Sequence, residues 1–378
     1  MSAWPGKTVI GLTGNIATGK SVVRKMLEHL GAFGIDADGL AHRSIARGAP
    51  GYTPVLDAFG ERILAPDGQI DRQSLARLVF TDPTSLDSLE KIIHPLVGSA
   101  INTLVRRAAQ PVIILEAIKL IEAGLSQVCD HLWVTYTPES IQQARLVKQR
   151  GMSAPLALQR IHAQPPQEAK TALADVIVYN DDTFTKTWQQ VLENWRMILP
   201  VAKPQPLHIP QVPGMDLSLQ RAWPSDAEKI AALFERLSHG AYRLPSEEIM
   251  AAFGRKTYLI LYQDGMPAGW CGWRTDNLVA SVDELFLTEE ITTEACIRSL
   301  VENLEGMAQT YQCEVLLLLL NNRNLQLQEY VLELGYNAST LGGLQARAWQ
   351  EAARNFLPDG SHVFYKRLGQ AETLFRDL

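Results

Sequence analysis

The chain has 378 residues, 46% hydrophobic and 20% charged, with a formal net charge of −6 at pH 7, and such a length predicts about two to three domains of ordinary globular composition. No apolar run approaches the roughly 20 residues that a bilayer span needs, which argues against a membrane protein. Residues 1–200 carry a net +1 and residues 201–378 a net −7, so neither half offers the basic face that nucleic acid requires.

Cys129, Cys271, Cys296 and Cys313 lie far apart without a C-x-x-C pair, so neither a zinc site nor a disulfide framework is expected. A reducing cytoplasm is the simplest setting, and the residues ahead of the first strand hold no apolar signal-peptide core.

Residues 8–12 form a short apolar run that predicts a buried strand, and 22–30 predict the helix after it. Between them, Gly14, Asn15, Ile16, Ala17, Thr18, Gly19, Lys20 and Ser21 fill every fixed position of G-x-x-x-x-G-K-[ST]. Two glycines let the backbone wrap until its N–H groups point inward at phosphate oxygens. The following helix adds the positive end of its dipole. In that arrangement Lys20 reaches the β- and γ-phosphates of a nucleoside triphosphate and the Ser21 hydroxyl ligates Mg²⁺.

A second strand over 32–35 delivers Asp36 and Asp38 at its carboxyl end, where open α/β sheets bind ligands. A helix is expected over 39–47, and 53–109 read as mostly helical with turns at 65–68 and 82–83. Strands follow over 112–115 and 131–136. Helices are expected over 138–149, opened by Pro138, and over 154–163, capped by Ser153 and broken by Pro165 and Pro166. A strand over 176–179 and a helix over 183–198 complete an alternation that predicts a doubly wound parallel sheet with helices on both faces, of the P-loop type.

Residues 200–214 contain Pro200, Pro204, Pro206, Pro210 and Pro213 and are expected to form an extended, semi-rigid linker between domains over 1–199 and 215–378. The second half predicts a strand over 217–222, a helix over 225–237, a hairpin of 258–262 and 268–274 about an Asp264-Gly265 turn, and a strand over 281–287. A helix over 293–311, a strand over 315–320, a helix over 325–334 and a strand over 362–366 follow. This is mixed α/β with an antiparallel first half. Nothing in the sequence sets an oligomeric state.

A phosphotransferase also needs a group to deprotonate the acceptor hydroxyl. Asp38 is the candidate, since it leaves the second strand on the phosphate side. Asp36 would share its site if strand geometry persisted to that point. Positive charge over the transferring group is expected from a basic lid carrying Arg145, Lys148, Arg150 and Arg160.

Taken together, the P-loop, Ile35-Asp36-Ala37-Asp38 with Ala41-His42, Ile92-Ile93-His94-Pro95-Leu96, Glu116-Ala117-Ile118-Lys119 and Ala174-Asp175-Val176-Ile177-Val178-Tyr179-Asn180 resemble dephospho-CoA kinase over residues 8–198. The resemblance implies ATP-dependent phosphorylation of the ribose 3′-hydroxyl of dephospho-CoA, the last step of CoA synthesis. It implies Asp38 as general base, Arg145 as part of the lid, and substrate contacts from Thr13, Asp36, Asp38, His94, Lys119 and Arg160. Ala117 and Gln149-Arg150 depart from the usual pattern, which touches the lid contacts and leaves the phosphate chemistry alone. The alternatives are another small-molecule P-loop kinase, a nucleotide-sensing module, or a bifunctional protein whose second domain binds acyl-CoA.

The second half more loosely resembles the Gcn5-related N-acetyltransferase fold. That family binds acyl-CoA pyrophosphate on a Gly-rich loop, but the corresponding residues 287–295 contain no glycine and include Glu289, Glu290 and Glu294. Negative charge there repels a pyrophosphate, so this domain is expected to be catalytically silent.

Overall fold

The computed structural model describes residues 3–199, 207–208, 215–321, 325–354, 356–357 and 361–369. Its first half is built on β1 (Thr8–Thr13), whose last five residues are buried because helices cover both faces of the sheet. Then come α1 (Lys20–His29), β2 (Phe33–Asp36), α2 (Ala37–Ser44), α3 (Tyr52–Phe59), α4 (Arg72–Thr81) and α5 (Pro83–Arg107). Local chemistry sets these boundaries. The Asp71 carboxylate accepts from the N–H groups of Gln73 and Ser74 at the start of α4. Asp82 does the same for Thr84 and Ser85, with Pro83 in the first helical position of α5.

The half continues with β3 (Val112–Glu116), β4 (His131–Tyr136), α6 (Glu139–Arg150), α7 (Ala154–His162), α8 (Gln167–Thr171), β5 (Val176–Tyr179) and α9 (Phe184–Arg196). The five strands are parallel in the order β2-β3-β1-β4-β5. The strand that feeds the P-loop is therefore central, and the carboxyl ends of β1, β2 and β3 converge on one rim.

The second half holds β6 (Leu207–His208), β7 (Leu217–Arg221), α10 (Ala227–Leu237), α11 (Ser246–Ala252), β8 (Thr257–Gln263), β9 (Met266–Asp276) and β10 (Val279–Leu287). It ends with α12 (Glu294–Thr310), β11 (Val315–Asn321), α13 (Leu325–Glu333), β12 (Asn337–Ser339), α14 (Arg347–Arg354) and β13 (Ser361–Arg367). Its mixed sheet runs β12-β13-β11-β10-β9-β8-β7-β6. Strands β6 to β10 are antiparallel, and α12 makes the crossover that lets β11 pair parallel to β10. A register shift between Asp283 and Phe286 bends β10.

Two expectations change. Within the proline-rich stretch, Leu207–His208 form an edge strand on β7 instead of linker; the remainder of 200–214 lies outside the described residues. Helix α2 begins at Ala37, two residues early, because the Asp36 carboxylate accepts from Gly39 N–H and caps it. Short helices α8, α11 and α14 were not legible, since none offers enough turns to display an apolar period.

The halves are tied together by polar contacts, some buried and some partly exposed. Arg24 of α1 pairs with Asp276 at 2.9 Å, and Lys25 donates to the Thr275 carbonyl. Arg221 donates to the Glu28 carbonyl at 3.0 Å, and His29 Nε2 lies 2.9 Å from the Phe253 carbonyl. Arg43 donates to the Asn277 carbonyl at 2.8 Å and Gln312 to the Leu104 carbonyl at 3.0 Å. The tip of the β9–β10 hairpin thereby rests on α1 and α2, the two helices that frame the P-loop. No helix among the described residues is long and apolar enough to cross a membrane.

Candidate active site

The phosphate cradle follows from backbone conformations that only some residues tolerate. Gly14 and Gly19 adopt φ of 149° and 92°. A Cβ on Gly14 would sit 2.4 Å from Thr135 Oγ1, and one on Gly19 only 1.9 Å from Asn180 Nδ2. Ala17 is left-handed as well, with φ of 60°, at a cost of roughly 1 kcal/mol. Its carbonyl accepts from Arg145 at 3.1 Å, which holds the strained residue in place. Helix α1 starts from Gly19 with no side-chain cap, leaving its first N–H groups and its dipole directed at an anion.

Around the loop, Thr18 Oγ1 lies 2.7 Å from Thr135 Oγ1, and Asn180 donates to the Thr18 carbonyl at 2.9 Å. Lys20 Nζ donates to the carbonyls of Gly14 and Asn15 at 3.1 and 3.3 Å. Burial lowers its pKa, opposed by the carboxylates of Glu116 and Asp38. Ser21 Oγ donates to Glu116 at 2.9 Å. A hydroxyl and a carboxylate at the phosphate edge are hard oxygen donors, and with phosphate oxygens they form the sparse protein set that suits Mg²⁺.

Helices α6 and α7 close over the loop. Ile16 and Ala17 pack against Leu146, Ala157 and Ile161. Asn15 Nδ2 donates to the Pro165 carbonyl at 2.8 Å, and the Ile16 N–H donates to Gln164 at 2.7 Å. Arg145 reaches across to the Asn180 carbonyl at 2.7 Å. The other lid cations, Lys148, Arg150 and Arg160, are exposed. Arg150 is close enough to oppose protonation of Lys20.

Asp38 sits in the first turn of α2 at the carboxyl rim. One carboxylate oxygen accepts from the Ile118 N–H at 3.0 Å, and the Thr13 hydroxyl donates to the Ile118 carbonyl at 3.1 Å. Burial raises the Asp38 pKa, opposed by that N–H and by Lys20. A cavity of about 360 Å³ opens beside it between α2, α4 and α5, with largely apolar walls; His94 and Lys119 line it with Asp38. Lys119 pairs with Glu90 at 3.2 Å. Arg160 does not line this cavity.

Asp36 does not share the site, because the chain turns helical at Ala37 and the strand alternation stops there. It faces a separate small pocket with Arg24 and Asp276. Burial and then the Glu116 charge push its carboxyl up to about 7. Such a group costs native stability when ionised, so stability is lost as pH rises from about 4 to about 7. Asp36→Asn keeps the cap and removes the charge. It is expected to stabilise the protein by about 1–3 kcal/mol at pH 8 and negligibly at pH 4; denaturant titrations at both pH values check this, and equal effects at both would refute it.

Three site residues escaped sequence reasoning. Glu116 ends the otherwise apolar run of β3, and that charge was its one signal. Arg24 is buried on α1 and pairs with Glu116 at 2.6 Å and Glu28 at 3.0 Å. Lys170, buried on the short α8, donates to the Ile118 carbonyl beside Asp38 and pairs with Glu122 at 3.3 Å.

The family model for dephospho-CoA kinase matches residues 8–186. The dephospho-CoA kinase of Geobacter sulfurreducens is 39% identical over 195 residues, 51% of this chain and 99% of that protein. That of Carboxydothermus hydrogenoformans is 40% identical over 50% of this chain and 94% of its own length. The chain belongs to the dephospho-CoA kinase family.

The match ends where the parallel sheet ends, so the second half is an addition to the dephospho-CoA kinase unit. Among solved structures, TT1252 from Thermus thermophilus is 30% identical over 51% of this chain and 98% of its own, with a TM-score of 0.48. A GNAT-family acetyltransferase from Streptococcus pneumoniae is 17% identical over 41% of this chain and 100% of its own, with a TM-score of 0.30.

Proposed function

We propose that the kinase domain, assigned to residues 1–199, transfers the γ-phosphoryl group of ATP to the ribose 3′-hydroxyl of dephospho-CoA with Asp38 as general base. The observation that carries this reading is the placement of Asp38. Its carboxylate lies near Lys20, within the charge field of the phosphate cradle, and borders the cavity of about 360 Å³ that can take the acceptor.

In this mechanism the N–H groups over residues 14–21 and Lys20 hold the β- and γ-phosphates. One Asp38 oxygen is fixed by the Ile118 N–H, which leaves the other to accept the acceptor hydroxyl proton. The new bond joins the acceptor's 3′-oxygen to the γ-phosphorus as its proton passes to Asp38 and the bond from the γ-phosphorus to the β–γ bridging oxygen breaks, and ADP leaves. Arg145, held over the loop, faces the charge that spreads over the equatorial oxygens. Ser21 and Glu116 are the residues that would hold Mg²⁺, whose chemistry is to neutralise the β- and γ-oxygens. His94 and Lys119 are assigned to the acceptor side.

Residues 200–214 are assigned to a connector and 215–378 to an acetyltransferase-like domain without transfer activity. Residues 289–291 form a short helical turn bearing Glu289 and Glu290, which supports that reading. The full chain is expected to release no thiol from acetyl-CoA above background with amine acceptors, and sustained release overturns it. A cytoplasmic location agrees with four cysteines that are all free.

The primary test is ADP release. Dephospho-CoA is expected to raise it well above the ATP-only background. No stimulation by dephospho-CoA, together with stimulation by a nucleoside, would replace the acceptor.

A further inference from the structure

A second cavity, of about 400 Å³, lies between the kinase domain and the appended domain. Arg43, Arg47 and Arg72 line it from one side, Arg347 and Arg367 from the other. Among the described residues two carboxylates answer them. Glu314 pairs with Arg43, and Glu351 is shared by Arg72 at 3.3 Å and Arg347 at 3.0 Å. Setting Arg367 aside, four guanidinium groups against two carboxylates leave an excess of two positive charges among the described residues.

Two arginines of this set stand out. Arg47 is exposed beyond α2 and makes no ion pair among the described residues. Arg43 Nε is buried with no hydrogen-bond partner among them. The first turn of α14 also lines the cavity and presents the positive end of its dipole. Clustered arginines suit phosphate because each planar fork can bond two oxygens at once. Ile45, Pro50 and Trp349 supply an apolar part of the wall, and the volume is that of a small-molecule site rather than a single ion.

We propose that this interdomain cavity binds a multiply phosphorylated small molecule, with its phosphates on Arg47, Arg72 and Arg347 and its organic part on the apolar wall. His42, Ile45 and Arg72 line both this cavity and the acceptor cavity, so occupancy of one bears on the other. Two compounds of this class, CoA and ADP, are products of the neighbouring reaction, and inorganic diphosphate represents the phosphate chemistry alone.

Calorimetric titration of the full chain with CoA, ADP and inorganic diphosphate, each separately, tests the proposal. For at least one ligand two binding events per chain are expected. In Arg47→Ser/Arg347→Ser the second event is expected to weaken about 10²-fold, while the first event and kcat are unchanged. Arg47→Lys/Arg347→Lys keeps the charge and is expected to retain the second event. High salt weakens it. A single event for all three ligands, or a second event insensitive to the Ser substitutions, overturns the proposal. Loss of kinase turnover together with the second event also overturns it, since the site would then be the acceptor site itself.

Discussion

Asp38→Asn is expected to lower kcat about 10²–10⁴-fold while leaving ATP affinity close to that of the parent. The substitution keeps shape and the hydrogen bond from the Ile118 N–H, so α2 and the Thr13–Ile118 contact persist. What it removes is the ability to take a proton. Because Asp38 acts in its ionised form and burial raises its pKa, kcat/KM of the parent should fall on the acid side through a pKa above the ordinary 3.8. That limb should vanish from the residual activity of Asp38→Asn. Turnover within a few-fold of the parent would remove Asp38 from the role of base.

Arg24→Ala is expected to have the largest effect on stability, about 3–5 kcal/mol. The guanidinium side chain is 5% exposed and pairs with Glu28, Glu116 and Asp276. Deleting it leaves the buried carboxylates of Glu28 and Glu116 without their cation, with Asp36 close by. Lysine cannot serve in its place, since an ammonium point charge cannot span three carboxylates as a planar fork does. The loss should reach the chemistry too, because Glu116 accepts from Ser21. KM for MgATP is therefore expected to rise in Arg24→Ala and Arg24→Lys even below their melting temperatures. Denaturant unfolding and initial-rate kinetics measure the two effects; a stability change under 1 kcal/mol would show that the pairs are solvated and weak.

These two residues mark the division between what was readable in the chain and what was not. The P-loop, the parallel alternation and Asp38 were legible because each depends on neighbours within about 20 residues: a glycine spacing, an apolar period, an acid after a strand. Asp36 was misplaced by one local event, its capping of α2, which ended the strand two residues before the alternation argument needed it to. Glu116, Lys170 and Arg24 act through partners 80 or more residues away or through short helices, and no local pattern encodes such a meeting.

The appended domain follows the same logic. Its hairpin, crossover helix and long strands announce themselves by apolar period and turn residues. That the tip of the β9–β10 hairpin, through Asp276 and Asn277, docks against α1 and α2 could not be read from those periods, because a two-residue tip has none.

By itself the sequence determined the phosphate cradle, the order of the longer strands and helices and the acid that follows the second strand, since short-range sterics and periodicity decide these. Tertiary structure alone decided which charges became buried partners. It joined Arg24 to Asp276 across the domains, separated Asp36 from Asp38, and brought five arginines around one cavity. The physical reason is that an ion pair depends on distance in space, and separation along the chain does not fix that distance.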